Sequence, residues 1–201
     1  MKTLLVSAVV VGIAVGAAEQ VIAQATPAKI TITSSAFKDG EMIPKDYTGD
    51  TGAKNVSPPL AWTGAPASTK EFALILDDPD AAQFNNGQPY VHWIVYNIPG
   101  TVKGLPEGLP AGKIAEGPLN GAVQGMSNMV RAPRGGGPAP APVYRGPAPP
   151  AGSGPHHYTF TVYALDAPIP ASETLMNKTQ LLDVIKGHIV GEGKLIGIFQ
   201  R

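Results

Sequence analysis

Residues 90–98 read Tyr-Val-His-Trp-Ile-Val-Tyr-Asn-Ile, the strongest strand signal in the chain. Aromatic and β-branched side chains suit a pleated, half-buried surface, and Pro99-Gly100 closes the run. Two more runs share its character. Residues 72–76 are Phe-Ala-Leu-Ile-Leu, an unbroken apolar stretch that predicts a strand covered on both faces. Residues 156–165 are His-His-Tyr-Thr-Phe-Thr-Val-Tyr-Ala-Leu. With a side-chain period of two, His156, Tyr158, Phe160 and Val162 share one face, while His157, Thr159 and Thr161 point the other way. The chain also holds 24 glycines and 21 prolines, and only 15 % of its residues are charged. Such a composition suits strands and many loops, not a helical bundle.

The chemistry gathers at the ends of these strands. Residues 72–76 lead into Asp77-Asp78-Pro79-Asp80. A polar loop turning at Asn86-Gly87 follows, and a hairpin-like return would bring His92 close to Asp78. Taken alone, the acidic cluster reads first as a solvated turn, since Asp and Pro both favour turns. Taken alone, His92 reads first as a satisfied core histidine.

Around these strands the reading is coarser. Ile30 and Ile32 alternate with Thr31 and Thr33, which predicts a half-buried strand over 29–37. Residues 43–47 are expected to pair back as an edge segment, because Pro44 cannot donate to a central ladder. Residues 55–62, Asn-Val-Ser-Pro-Pro-Leu-Ala-Trp, form a rigid loop feeding a short strand, with Trp62 expected to pack. Residues 100–155 look mostly irregular, and 132–150 are a Pro/Gly-rich inserted loop. Asn177 with Gln180 three residues on opens a helix, and Leu181, Leu182, Ile185 and Ile189 give it an apolar face. Gly191 and Gly193 are expected to stop it, with His188 near its C-terminus and a last strand over 194–199.

The 201 residues suffice for one domain with its own core. Fifteen Lys+Arg balance fifteen Asp+Glu, which argues against broad capture of nucleic acid. Without cysteine there is no disulfide framework, thiolate metal site or Cys nucleophile. Met1-Lys2, the apolar run 4–18 and Ala23-Gln24-Ala25 form the pattern of a secretory signal cleaved after Ala25. The apolar run is shorter than the roughly 20 residues of a spanning helix. The expectation is a signal over 1–25, then a single domain over 26–201 that is periplasmic or secreted, with no integral membrane association.

Taken in order, NVSPPLAW (55–62), Asp78-Pro79-Asp80-Ala81, His92-Trp93, Gly146-Pro147 with Pro149-Pro150, and Gly154-Pro155-His156-His157-Tyr158 resemble the phosphatidylethanolamine-binding protein family, in its bacterial Raf-kinase-inhibitor-like branch. The resemblance covers roughly 30–201. Where the family pattern has a proline after Asp80-Ala81, this chain has Ala82, and its loop 132–142 is longer and poorer in aromatic residues. The resemblance implies a large central antiparallel sheet, a smaller second sheet and one or two short helices. It also implies a small anion pocket, which carried over position by position comprises Asp78, Asp80, His92, Pro149, Pro150, His156 and Tyr158.

In such a pocket imidazole N–H groups and a phenol O–H would donate to a phosphate-type head group. Asp78 would fix a histidine tautomer, and Asp80 would meet an ethanolamine-type amine. The function implied is small-anion binding, with an unidentified protein partner to be modulated. No catalytic residue, metal or cofactor is assigned. The alternatives are a hydrolase or metal-dependent enzyme using the same His/Asp/Tyr pocket, or a kinase- or protease-inhibitor-like interaction protein.

Overall fold

The computed structural model describes residues 26–130, 141–172 and 174–201. The expected signal over 1–25, and residues 132–140 of the inserted loop, lie outside the described residues. Among the described residues, nine strands and one α-helix follow in order: β1 (Ala28–Lys29), β2 (Thr31–Thr33), β3 (Leu60–Thr63), β4 (Glu71–Asp78), β5 (Tyr90–Pro99), β6 (Gly104–Leu105), β7 (Val123–Gln124), β8 (His156–Leu165), α1 (Lys178–Ile185) and β9 (Ile189–Phe199). The fold is mainly β, with a large sheet in the order β1-β9-β8-β4-β5-β7 and a small one in the order β2-β3-β6.

Every pairing between these strands is antiparallel except β1 with β9, so the large sheet is mixed. The strand expected over 29–37 is in fact two short ones that belong to different sheets. Ile30 donates its N–H to Glu192 O at 2.8 Å, and the chain then crosses to the small sheet at Thr31. Gly193 permits this crossing, because a Cβ there would stand 2.2 Å from Ile30 O.

The central β4 is covered on both faces, as its sequence predicts. Phe72, Leu74 and Leu76 pack toward the small sheet with Trp62, Trp93, Phe160 and Val162. Ala73 and Ile75 pack on the other side with Ile94, Leu181 and Ile185 of the helix. The helix begins with a full capping box between Asn177 and Gln180. It ends sooner than its apolar spacing suggests, at Ile185, because Gly187 adopts a φ of +87°. Ile189, Gly191 and Gly193 therefore lie inside β9, and His188 pairs with Asp166 at 3.0 Å. Residues 43–47 split likewise: Ile43 N–H bonds Ile198 O at 2.8 Å, while Lys45–Tyr47 form a short 3-10 turn.

Alternation along β4 decides which way its last residues face. Asp78 continues the row of Phe72, Leu74 and Leu76. Opposite it, β5 is irregular: Leu76 pairs with Trp93 but Asp77 pairs with Val91, so His92 is the extra residue of a bulge. A bulge re-aims a side chain that strict alternation would send to the other face. His92 and Asp78 thus meet on the same side of the sheet.

Candidate functional site

Asp78, His92, His156 and Tyr158 converge at one end of the large sheet on a cavity of about 230 Å³. Its wall also holds Pro149 and Pro150 from the proline-rich segment, with Ala81, Phe84, Tyr90, Met129 and Ala148. Two larger grooves, of about 660 and 510 Å³, run elsewhere on the surface. Neither has a histidine in its wall, so volume alone does not choose between the sites; the chemistry of the walls does.

The three carboxylates that cluster in sequence have three separate partners. Asp77 pairs with Lys178 at the start of α1. Asp78 is 2 % exposed, and its Oδ2 lies 2.7 Å from Nδ1 of an equally buried His156. Its other oxygen accepts the Ala81 N–H at 3.1 Å. Asp80 turns away from the cavity wall: its Oδ2 accepts the backbone N–H of His157 at 2.6 Å and lies 2.9 Å from that ring's Nδ1. Partial burial works to raise the Asp80 pKa, but the His157 N–H and ring, with the His157 and His156 charges, outweigh it and hold the carboxyl below its usual range. So six of the seven expected residues share the cavity, and Asp80 does not, because the outward-facing His157 holds it at the surface.

His92 is buried, and its Nδ1 lies 2.9 Å from Arg145 O. A carbonyl can only accept, so the ring carries its proton on Nδ1. Desolvation pulls the His92 pKa down; the Arg145 carbonyl, the charges of Asp78 and Asp77 and the Gly146 carbonyl resist but do not reverse it. The ring is therefore neutral at neutral pH, and its Nε2 bears no proton. Tyr158 stands between the two histidines, with ring centroids 5.3 Å from His92 and 6.4 Å from His156.

The Tyr158 hydroxyl is the unusual atom of this site. The side chain is 0 % exposed, and its oxygen has no hydrogen-bond partner of acceptable geometry. Burial, then the charge of the nearby Asp78 carboxylate and the hydroxyl's poorly aligned approach to it, push its pKa up, so it remains a protonated donor. A buried polar group left unsatisfied is uncommon and costs stability.

The proline-rich wall is tied to distant parts of the chain. Gly146 N–H donates to Asn55 Oδ1 at 2.8 Å, Gly49 N–H to Pro147 O at 2.8 Å, and Tyr144 hydroxyl to Tyr47 O at 2.6 Å. At the far end the Arg201 guanidinium donates to Pro149 O at 2.5 Å. Sequence reasoning missed Tyr90, Phe84, Met129 and the Arg145 carbonyl. No motif marks them; they enter through the turn after β4 and through contacts more than 30 residues apart. At the mouth, Phe84 and Met129 are 62 % and 36 % exposed, an apolar rim beside a polar floor.

A sequence model described as phosphatidylethanolamine-binding protein matches residues 33–200. A UPF0098 protein of Methanothermobacter thermautotrophicus is 39 % identical over 173 residues, covering 86 % of this chain and 99 % of the relative. A UPF0098 protein of Mycobacterium tuberculosis is 40 % identical over 172 residues, covering 85 % of this chain and 70 % of the relative. Among solved structures, a phosphatidylethanolamine-binding protein homolog from Chlamydia trachomatis superposes with a TM-score of 0.69 at 31 % identity, over 88 % of this chain and 99 % of that one. The E. coli protein YbcL, described as a new member of the mammalian PEBP family, superposes with a TM-score of 0.69 at 30 % identity, over 86 % and 98 %.

Proposed function

The chain belongs to the phosphatidylethanolamine-binding protein family, and on that premise we propose that it binds a small oxyanion, the phosphate of a head group, in the cavity between β4, β5 and β8. The observation that carries this reading is the Tyr158 hydroxyl: a buried donor at the cavity wall with no hydrogen-bond partner of acceptable geometry suits an oxygen that arrives with a ligand. Rigid proline walls favour a preformed site. The apolar rim of Phe84 and Met129 favours a phosphoester whose tail leaves over it. Asp80 is given no part in holding an amine, since its carboxylate already serves His157.

Binding should also take up a proton. With His92 neutral and protonated on Nδ1, its Nε2 presents a lone pair. An oxyanion beside it favours either the imidazolium or a protonated phosphate oxygen that donates to Nε2. Both stabilise the complex below the pKa that the ligand raises, and both are lost as pH rises through it. Titrating inorganic phosphate or phosphoethanolamine calorimetrically tests the reading. Affinity should fall as pH rises from 5.5 to 8, and Tyr158→Phe should weaken binding by about tenfold or more, the worth of a hydrogen bond to a charged group. Equal affinities for the wild type and Tyr158→Phe would reject it.

The reading extends to an exported protein, periplasmic or secreted, matured after Ala25. Intact mass of the protein from an envelope or culture fraction checks this: the chain should begin at Thr26, and a retained Met1 would refute it. A protein partner modulated by ligand occupancy is part of the same reading.

A further inference from the structure

Ser153 extends the buried pair at the cavity into a chain of three groups. The residue is exposed, in the turn that precedes β8, between Gly152 and Gly154. Its Oγ lies 3.1 Å from Nε2 of His156, whose Nδ1 lies 2.7 Å from Asp78 Oδ2. Asp78 is fixed in turn by the Ala81 N–H at 3.1 Å. With Asp78 accepting from Nδ1–H, a ring that carries only that proton presents the Nε2 lone pair to the serine oxygen. Carboxylate, imidazole and hydroxyl then stand in the order of a Ser-His-Asp triad, which is defined by geometry and roles, not by sequence position. The Ser153 hydroxyl has a second acceptor, Pro150 O at 2.8 Å, so its proton exchanges between a carbonyl and the ring by rotation about Cβ–Oγ. Pro150 and His156 both line the cavity, so Ser153 is hydrogen-bonded to two residues of its wall.

We infer that Ser153 is an activated nucleophile for small carboxylic esters. In acylation the Ser153 proton passes to His156 Nε2 as Oγ bonds the acyl carbon. The C–O bond to the alcohol then breaks, and the alcohol leaves with that proton. Water hydrolyses the acyl-serine by the same relay and releases the acid. Asp78 is a positioning residue: it holds the imidazole in the tautomer that accepts. The cavity of about 230 Å³, with apolar walls at Ala81, Phe84 and Pro149, limits the acyl group to a short one. None of this requires that the cavity also bind phosphate.

The test uses a fluorophosphonate probe, which phosphonylates activated serines, with peptide mass spectrometry to place the adduct. Ser35, Ser68 and Ser172 are exposed serines of the same chain and serve as internal controls. Ser153 should react faster than these by about 10²-fold, the lower end of what a positioned base supplies. p-Nitrophenyl acetate cleavage should fall to the buffer rate in Ser153→Ala. In His156→Gln, with folding checked by circular dichroism, labelling of Ser153 should drop to that of the controls. An unlabelled Ser153, or one labelled no faster than Ser68 and Ser172, overturns the inference. So does labelling that persists in a folded His156→Gln. If that variant does not fold, the comparison among serines of the wild type decides alone.

Discussion

Asp78→Ala is expected to destabilise the protein by about 3–5 kcal/mol, the usual consequence of removing one member of a buried pair. The carboxylate is almost wholly buried and occupies two donors at once, the His156 ring and the Ala81 N–H. Alanine leaves both without a partner away from water, and an unmade buried hydrogen bond costs more than a made one contributes. At about 2–4 °C per kcal/mol for a domain of this size, the midpoint of thermal unfolding should fall by about 10 °C. Phosphate binding should vanish in the same variant, because the His156 side of the cavity loses its anchor. Asp78→Asn should cost less, since an amide oxygen can still accept from Ala81. Replacing Asp78 and His156 together by apolar residues should recover much of the stability but none of the binding. Denaturant titrations of the three variants check the ordering. An Asp78→Ala protein that unfolds at the wild-type midpoint would show that the pair contributes nothing beyond a surface ion pair.

That ordering follows from facts the sequence carries only in part. Alternation along 156–165 suffices to put His156 and Tyr158 on one face, and the apolar run 72–76 suffices to make β4 central. Local periodicity cannot show that His92 is the extra residue of a bulge, yet the bulge is what aims its ring at the cavity. Strict alternation from Trp93 would send it to the helix side. Nor does composition show that Asp78 and Asp80, two residues apart, serve different partners on different sides of the wall. The crossing at Thr31 from the large sheet to the small one depends on the Gly193–Ile30 approach, a contact 163 positions apart in the chain. The early end of α1 turns on one glycine that interrupts an otherwise continuous apolar spacing. In each case the missing information is a long-range contact or a single backbone angle, neither of which leaves a periodic trace.

The motif at 55–62 acquires its meaning from the same kind of contact, and that leads to the second large effect. Asn55 accepts the Gly146 N–H across 91 positions and so holds the proline-rich wall in place. Gly146 itself is pressed against the turn at 47–48: an added Cβ would stand 2.3 Å from Tyr47 O and 2.7 Å from Thr48 Cα. Both are backbone atoms, anchored by the Tyr144 hydroxyl on Tyr47 O and by Gly49 on Pro147 O, so neither can swing aside as a flexible side chain would. In Gly146→Ala the wall itself must move. Overpacking of this kind costs about 1–3 kcal/mol or more, but the larger consequence falls on the site. Arg145 O, next in the chain, is the acceptor for His92 Nδ1, and Pro149 and Pro150 form the opposite wall. Displacing the segment frees His92 to change tautomer and opens the cavity between Tyr158 and the prolines. The imidazole nitrogen NMR shifts of His92 should therefore leave the pattern of a donating Nδ1, and phosphate affinity should fall by more than in Tyr158→Phe, because every wall contact changes together. If Gly146→Ala kept both the His92 shifts and the affinity, the proline segment would not be what shapes the site, and the cavity would owe its form to the sheet alone.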